Sequence, residues 1–208
     1  MIAPLTDAQR TWRREQRTRL LEQRRLMPSA ERRSLGDLVI ANLDRIVEAR
    51  DVKVLGIYWP IKREIDLLAW AASVAARRPV ALALPVVTTQ KAPLDYCVWR
   101  KGDPMTRGFW DIPVPAEQVP ASPDVVIAPL VGFCGCWRLG YGGGYFDRSL
   151  AALAPRSGAI GVGFELARVP SIRPQDYDLP MDFIVTEAGT FEVGHGGLRP
   201  FAGKPRSG

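Results

Sequence analysis

The chain has 208 residues, of which 47% are hydrophobic and 24% are charged, proportions typical of a globular protein with one domain. No apolar run approaches the roughly 18–20 residues that a membrane span needs, and residues 1–4 lack the layout of a signal peptide. The odd count of three cysteines argues against a disulfide framework, and the formal net charge of +6 favours an anionic partner. We therefore expect a cytoplasmic protein, without a membrane partner, that binds a nucleotide, an anionic metabolite or a nucleic acid.

The first half of the chain alternates helical and strand patterns. Thr6 or Asp7 can cap a helix rich in Gln and Arg, and Pro28 breaks the chain after it. A later apolar strand is closed by Pro85. In chain order the pattern predicts a helix at 6–26, a helix at 29–49, a strand at 52–58, a helix at 65–76 and a strand at 79–84.

The second half of the chain adds short strands and one helix. Residues 94–99 alternate like a half-exposed strand and lead into a polar, Gly- and Pro-rich excursion that ends near residue 123. Residues 194–208 lack periodicity and are rich in Gly, Pro and Arg, so we expect a flexible tail there. The remaining predicted elements are strands at 125–128, 159–164 and 183–186 and a helix at 144–153.

Strands separated by helices predict an α/β fold in a single domain of residues 1–193. We expect a three-layer, Rossmann-like arrangement with a mostly parallel sheet and helices on both faces. In such sheets, ligands gather beyond the carboxyl ends of the strands.

Residues 138–148 form a glycine-rich stretch after the strand at 125–128, and its residues 140–144 form a glycine-rich loop that leads into the helix at 144–153. Four glycines there permit positive φ angles and close approach of backbone N–H groups to an anion. Arg138 and Arg148 flank the loop, and Asp147 is a carboxylate suited to Mg²⁺. The spacing fits neither a P-loop nor a dinucleotide fingerprint. On the loop alone, a flexible hinge or a tight packing turn remains an alternative to a phosphate site.

The loop sequence Arg-Leu-Gly-Tyr-Gly-Gly-Gly-Tyr-Phe-Asp-Arg closely resembles the R-L-G-x-G-x-G-Y-Y-D signature of the 5-formyltetrahydrofolate cyclo-ligase family, also called methenyltetrahydrofolate synthetases. The resemblance extends in order from about residue 10 to residue 187. It also covers Arg13 and Arg17, which fall where the family has a Lys-x-x-x-Arg pair. Its other segments are 25–32, 58–64 (Y-x-P-x-x-x-E in the family), 108–115 and 178–187 (D-x-P-x-D-x-I-x-T-E).

The resemblance implies an ATP-dependent ligase that closes 5-formyltetrahydrofolate into 5,10-methenyltetrahydrofolate. In that reaction ATP phosphorylates the formyl oxygen, and ADP and phosphate are released. It implies Mg²⁺ as the cofactor and a reduced folate as the substrate, and the positive charge would suit a polyglutamate tail. We expect a monomer, and nucleic acid is the less favoured partner.

The resemblance also implies roles for individual residues. Glu64 suits the pterin because the two oxygens of a carboxylate can accept hydrogen bonds from the N–H donors of the pterin. Flat aromatic rings can pack on the folate. The implied catalytic residues are Arg138 and Tyr145, and the implied Mg²⁺ ligands are Asp147 and Asp178. The implied folate-binding residues are Trp59, Glu64, Trp110 and Tyr145. The implied ATP-binding residues are Arg13, Arg17, Arg138, Leu139, Gly140, Tyr141, Gly142, Gly143, Gly144, Tyr145 and Phe146.

Several alternatives stay open at this level. Taken singly, Arg13 and Arg17 can be solvated, Trp59 and Trp110 can be core aromatics, Glu64 can complement a helix dipole, and Asp178 can cap a turn. The arginine-rich N-terminal helix also suits a catalytically weak family member that binds nucleotides or nucleic acid, or acts as a regulator. The chain departs from the family pattern at residues 133–138, which are one residue shorter and carry cysteine where the family has aspartate. It also has Arg13 for a lysine, Phe146 for a tyrosine and Tyr177 for a histidine.

Overall fold

The computed structural model describes residues 6–153, 155, 157–194 and 197–202. In these ranges the helices are α1 (Asp7–Leu26), α2 (Ser29–Glu48), α3 (Leu68–Arg77) and α4 (Tyr145–Ala152). The strands are β1 (Val54–Gly56), β2 (Ala81–Val86), β3 (Asp95–Val98), β4 (Met105–Arg107), β5 (Pro113–Pro115), β6 (Pro120–Ala121), β7 (Val125–Pro129), β8 (Gly132–Cys134), β9 (Trp137–Leu139), β10 (Gly158–Val162), β11 (Phe183–Thr186), β12 (Gly189–Gly194) and β13 (Gly197–Pro200).

One nine-stranded sheet organises the molecule, with the strand order β13-β12-β11-β10-β7-β1-β2-β3-β6. The five central strands, β11, β10, β7, β1 and β2, are parallel to one another. Two antiparallel strands extend the sheet on each side. Every residue of β7 is buried, as expected for a central strand covered on both faces.

Helices cover both faces of this sheet. Alternate side chains of a strand point to opposite faces, so Ile127 packs in the cluster that contains Leu43 of α2 and Trp70 of α3. Its neighbour Val126 packs in a second cluster with Leu150 of α4. The predicted three-layer α/β fold with a mostly parallel centre is therefore confirmed.

Helix α1 lies against the segments that follow the parallel strands. It begins with a capping box in which the Thr6 side chain accepts a hydrogen bond from the Gln9 N–H. Leu20 packs in a separate buried cluster with Val131, Leu139 and Ile172. These three residues belong to the loops and the small hairpin beyond β7 and β10, so α1 covers that end of the sheet.

The structure differs from the predicted elements in several places: β1 is shorter than the predicted strand at 52–58, α3 begins three residues later than predicted, and the short strands β4, β5, β6, β8 and β9 were not predicted. Two further differences have a clear physical reason. Strand β2 does not stop before Pro85 but continues to Val86, paired with β3. Proline is tolerated here because β1 pairs with β2 only as far as Ala83, so the N–H that Pro85 lacks is not required for a hydrogen bond to β1. The predicted tail from residue 194 instead contains β13, which pairs with the unpredicted β12. Phe201 follows and packs edge-on against Phe183 with ring centroids 5.5 Å apart. The predicted tail residues 195, 196 and 203–208 lie outside the described residues.

Within the part of the chain that the structure describes, none of the helices combines the length and apolar character that crossing a bilayer requires.

The packing of α1 gives a stability prediction. Leu20 is 1% exposed, so Leu20→Ala should lower the free energy of unfolding by about 2–5 kcal/mol through lost burial and a residual cavity. Urea denaturation followed by circular dichroism measures the change. Leu26→Ala is the matched control, since Leu26 lies on the same helix and is 64% exposed; its effect should stay within about 0.5 kcal/mol. Equal losses in the two variants would contradict the packing of α1 described above.

Candidate active site

The candidate site lies beyond the carboxyl end of β7. After Pro129 the chain forms the β8–β9 hairpin, then the glycine-rich loop of residues 140–144, and then α4. In parallel α/β sheets this edge is where ligands bind. The glycine-rich loop therefore lies where the sheet topology favours a ligand.

The β8–β9 hairpin contains the segment that is one residue shorter than the family pattern. Cys134 pairs with Trp137, so Gly135 and Cys136 form a two-residue turn. The Cys134 thiol donates a hydrogen bond to the Pro170 carbonyl oxygen at 3.1 Å. The shortened segment is thus closed as a regular tight hairpin without the aspartate.

The glycine-rich loop has a backbone that requires glycine. Gly142 has φ +100°, and Gly144, the N-cap residue that precedes α4, has φ +66°. Both values lie in the left-handed region that side chains disfavour. Among the described residues, no side-chain cap hydrogen bond is formed at the N-terminus of α4, so its first N–H groups remain available to an anion. This geometry favours a phosphate-binding loop over a simple hinge.

Arg148 donates to the Gly143 carbonyl oxygen of the loop at 2.6 Å, and Arg17 is another cation that the structure places directly on the loop. Its Nε donates to the Gly140 carbonyl oxygen at 2.7 Å. Burial lowers the pKa of the Arg17 guanidinium, and the neighbouring Arg13 charge adds to the effect. Among the described residues, no carboxylate forms an ion pair with Arg17. Its charge therefore remains free for an anionic ligand.

Arg13 and Arg138 are buried and already paired. Arg13 forms a bidentate pair with Asp178, with N–O distances of 2.6 and 3.0 Å. Arg138 donates to Asp147 at 2.9 Å, and its guanidinium lies over the Phe146 ring. The solvated alternative for Arg13 is therefore wrong, because the Arg13 side chain is 5% exposed.

Two predicted ATP-binding residues point into the core. Leu139 is fully buried, in the cluster with Leu20 of α1, and Phe146 packs between the two large clusters. If they contribute to a nucleotide site, they do so through the backbone and by supporting Arg138.

The two carboxylates proposed for Mg²⁺ lie close together but are engaged. The Leu179 N–H, next to Asp178, is 3.4 Å from Asp147 Oδ1. Both oxygens of Asp178 accept from Arg13, and Oδ2 also accepts from the Gln175 N–H at 2.8 Å. Asp178 therefore does not fit a direct ligand of Mg²⁺ in this arrangement, whereas Asp147 has acceptor capacity left. The described ranges contain no group of three or more metal-ligating side chains.

Glu64 occupies a buried position beside the loop. One carboxylate oxygen accepts from the Tyr141 hydroxyl at 2.6 Å, and the other accepts from the Ile61 N–H at 2.9 Å. Burial raises the pKa of the Glu64 carboxyl. Glu64 lines a cavity of about 390 Å³ whose other lining groups include the cations Arg32, Arg33, Lys62 and Arg63.

The two predicted tryptophans are in different environments. Trp110 is 63% exposed, and its ring lies edge-on to Tyr145 with centroids 5.4 Å apart. Its backbone has φ +55°, which is unusual for an aromatic residue. Trp59 is half-buried and packs against the large core cluster. The alternative that these residues are core aromatics is therefore wrong for Trp110 and fits Trp59.

Sequence reasoning missed Arg24. This residue is 5% exposed, and its guanidinium donates to the Tyr141 hydroxyl at 2.7 Å and to the Leu130 carbonyl oxygen at 3.3 Å. A signal for it existed, because positions 13, 17, 20 and 24 share one face of a helix. That spacing places Arg24 on the same face as Arg13 and Arg17.

Comparison with known proteins identifies the family of the chain. The chain matches the model of the 5-formyltetrahydrofolate cyclo-ligase family over residues 9–187. The NMR structure of Aquifex aeolicus 5,10-methenyltetrahydrofolate synthetase is similar, with 26% identity, a TM-score of 0.74 and coverage of 94% of this chain and 95% of that one. A 5,10-methenyltetrahydrofolate synthetase from Mycoplasma pneumoniae shares the fold at 20% identity, with a TM-score of 0.70 and coverage of 84% and 98%. Among curated proteins none matches. The match to the family model confirms the resemblance seen in the sequence, and the chain belongs to the 5-formyltetrahydrofolate cyclo-ligase family.

Proposed function

We propose that the protein uses MgATP to close 5-formyltetrahydrofolate into 5,10-methenyltetrahydrofolate, with release of ADP and phosphate. The observation that carries this proposal is the position of the glycine-rich loop. Tyr141 within the loop contacts Glu64, and Tyr145, which follows the loop, contacts Trp110. A phosphate-binding loop next to the residues proposed to bind the folate suits the transfer of a phosphoryl group from ATP to the folate.

The proposed reaction has two steps. The formyl oxygen attacks the γ-phosphorus of ATP, the bond to ADP breaks, and an imidate phosphate forms. N10 then attacks the formyl carbon and loses its proton to solvent, the C–O bond breaks, and phosphate leaves with that oxygen. The protein's task in such a transfer is to position the groups and to stabilise charge.

On the ATP side, we assign the triphosphate to the loop N–H groups of residues 140–144, the N-terminus of α4 and the guanidinium of Arg17. Arg138 is proposed to stabilise charge on the transferred phosphoryl group. Mg²⁺ enters as part of the substrate MgATP, and Asp147 is the carboxylate proposed to face it. Asp178 would reach the ion only by releasing Arg13, so its proposed role is to orient that arginine.

On the folate side, we assign the pterin to Glu64 and the flat rings to Trp110 and Tyr145, with Trp59 behind them in the core. A carboxylate with two oxygens suits adjacent N–H donors of a pterin. The cations that line the cavity next to Glu64 would suit a polyglutamate tail.

The nucleic-acid alternative rests on the basic composition of α1. Arg13, Arg17 and Arg24 are turned into the site rather than towards solvent. Arg10 and Arg25 on the exposed side are paired with Asp7 and Glu22. These contacts account for much of the arginine density of α1, so we do not propose nucleic acid as the ligand.

A turnover assay tests the proposed function directly. Purified protein with MgATP and 5-formyltetrahydrofolate should form ADP and 5,10-methenyltetrahydrofolate in equal amounts. The near-ultraviolet absorbance of the methenyl product measures the second. Omission of either substrate is the control. Absence of both products would overturn the proposal for this substrate.

The role of Glu64 gives a second prediction. Glu64→Gln keeps the shape of the side chain but removes its charge, and hydrogen bonds to a charged group contribute about 1.5–3 kcal/mol. We expect kcat/KM for the folate to fall about 10–100-fold. Steady-state kinetics measures this, with Glu22→Gln on the exposed side of α1 as the matched control. Unchanged kinetics in Glu64→Gln would remove Glu64 from the folate site.

The role of Arg17 gives a third prediction. Arg17→Ala removes the free cation beside the loop, so the KM for ATP should rise about 10–100-fold through loss of a charge-assisted contact to phosphate. Arg14→Ala is the control, since Arg14 is exposed on the same helix. The assignment fails if both variants have the same KM for ATP.

A further inference from the structure

Three side chains from separate parts of the fold form a continuous hydrogen-bonded chain. Arg24 on α1 donates to the Tyr141 hydroxyl at 2.7 Å. The same hydroxyl donates to a carboxylate oxygen of Glu64 at 2.6 Å. Because the hydroxyl accepts from a cation and donates to an anion, both of its hydrogen bonds are charge-assisted.

Tyr141 is part of the glycine-rich loop through its backbone. It lies between Gly140, whose carbonyl oxygen accepts from Arg17, and Gly142, which has φ +100°. The Lys62 ammonium lies 5.3 Å from the centre of the Tyr141 ring. The backbone of Tyr141 thus belongs to the proposed phosphate site, and its hydroxyl belongs to the site of Glu64.

We propose that Tyr141 is a positioning residue that couples the two substrate sites, so that ATP and the folate each bind more tightly when the other is present. This inference rests on the proposed function of the two sites. Triphosphate binding would order the loop backbone and fix the Tyr141 ring, and the hydroxyl then holds Glu64 in one orientation for the pterin. Coupling between two binding sites is reciprocal by thermodynamic necessity, so the folate orders the loop by the same factor.

The hydroxyl also supports the charge of Glu64. Burial raises the pKa of Glu64, whereas the Ile61 N–H, the Tyr141 hydroxyl and the charges of Arg24 and Lys62 lower it. The further groups around it are Tyr58 and Asp66 and, across the cavity, Arg32, Arg33, Asp37 and Arg63. Loss of the Tyr141 hydroxyl would leave a more strongly raised pKa at Glu64.

A thermodynamic cycle tests the coupling. The Kd of 5-formyltetrahydrofolate is measured by titration calorimetry in the absence and presence of MgAMP-PNP, a non-hydrolysable ATP analogue. The wild type is compared with Tyr141→Phe, which keeps the ring and removes the hydroxyl. Tyr96→Phe is the matched control, because the buried Tyr96 hydroxyl has no hydrogen-bond partner among the described residues.

We expect the analogue to lower the folate Kd of the wild type and of Tyr96→Phe by a factor within about 5–150, the usual range of coupling between sites. In Tyr141→Phe the ratio of the two Kd values should approach one. A wild-type ratio of one overturns the coupling and leaves the proposed function intact. A ratio that is equally large in Tyr141→Phe overturns the role of Tyr141. Failure of the wild type to bind either ligand overturns the proposed function and this inference with it.

The pH dependence of folate binding separates positioning from packing. Affinity for the pterin requires the Glu64 carboxylate and is lost as the pH falls through its pKa. In Tyr141→Phe this loss should occur at higher pH than in the wild type, while Tyr96→Phe should follow the wild type. An acid limb at the same pH in Tyr141→Phe would show that the hydroxyl does not act on Glu64.

Discussion

Helix α1 presents Arg13, Arg17, Leu20 and Arg24 on one face because these positions recur every three or four residues. Leu20 fixes the distance of this face from the end of the sheet by packing into a buried cluster. The three arginines then reach different segments: the loop before β11, the glycine-rich loop and the backbone after β7. A single helix therefore holds together loops that are more than a hundred residues away along the chain.

The elements that could be predicted from the sequence are those with strong local patterns. Helices α1 and α2 and the central strands have clear apolar periodicity, and the glycine-rich loop is unusual in composition. Strands β12 and β13 were missed because glycine and polar residues obscure their alternation, and their pairing depends on a partner strand. The excursion before residue 123 likewise contains three short strands that pairing, more than local propensity, defines.

Within the candidate site, residue types were predictable and partners were not. The sequence indicated Glu64 and the loop tyrosines, but nothing in the spacing shows that the Tyr141 hydroxyl meets Glu64. For Asp178 the sequence suggested a different partner, since a carboxylate in a family motif suggests a metal ligand. Its buried pairing with Arg13 depends on how α1 packs against the end of the sheet, which is a tertiary property. The structure thus shows a buried ion pair at Asp178 that the sequence did not indicate.

Strand β13 affects how the edge of the sheet can interact with other chains. Among the described residues, β13 pairs with β12 and is the edge strand on this side of the sheet. It is short and includes Arg199 and Pro200. A short margin with a cation and a residue that lacks an N–H offers little to another chain's backbone, so the pairing discourages edge-to-edge self-association. A truncation before Gly197 would uncover the six-residue β12 in its place. The tendency of C-terminally shortened forms of the chain to self-associate should therefore depend on β13, which does not belong to the candidate active site.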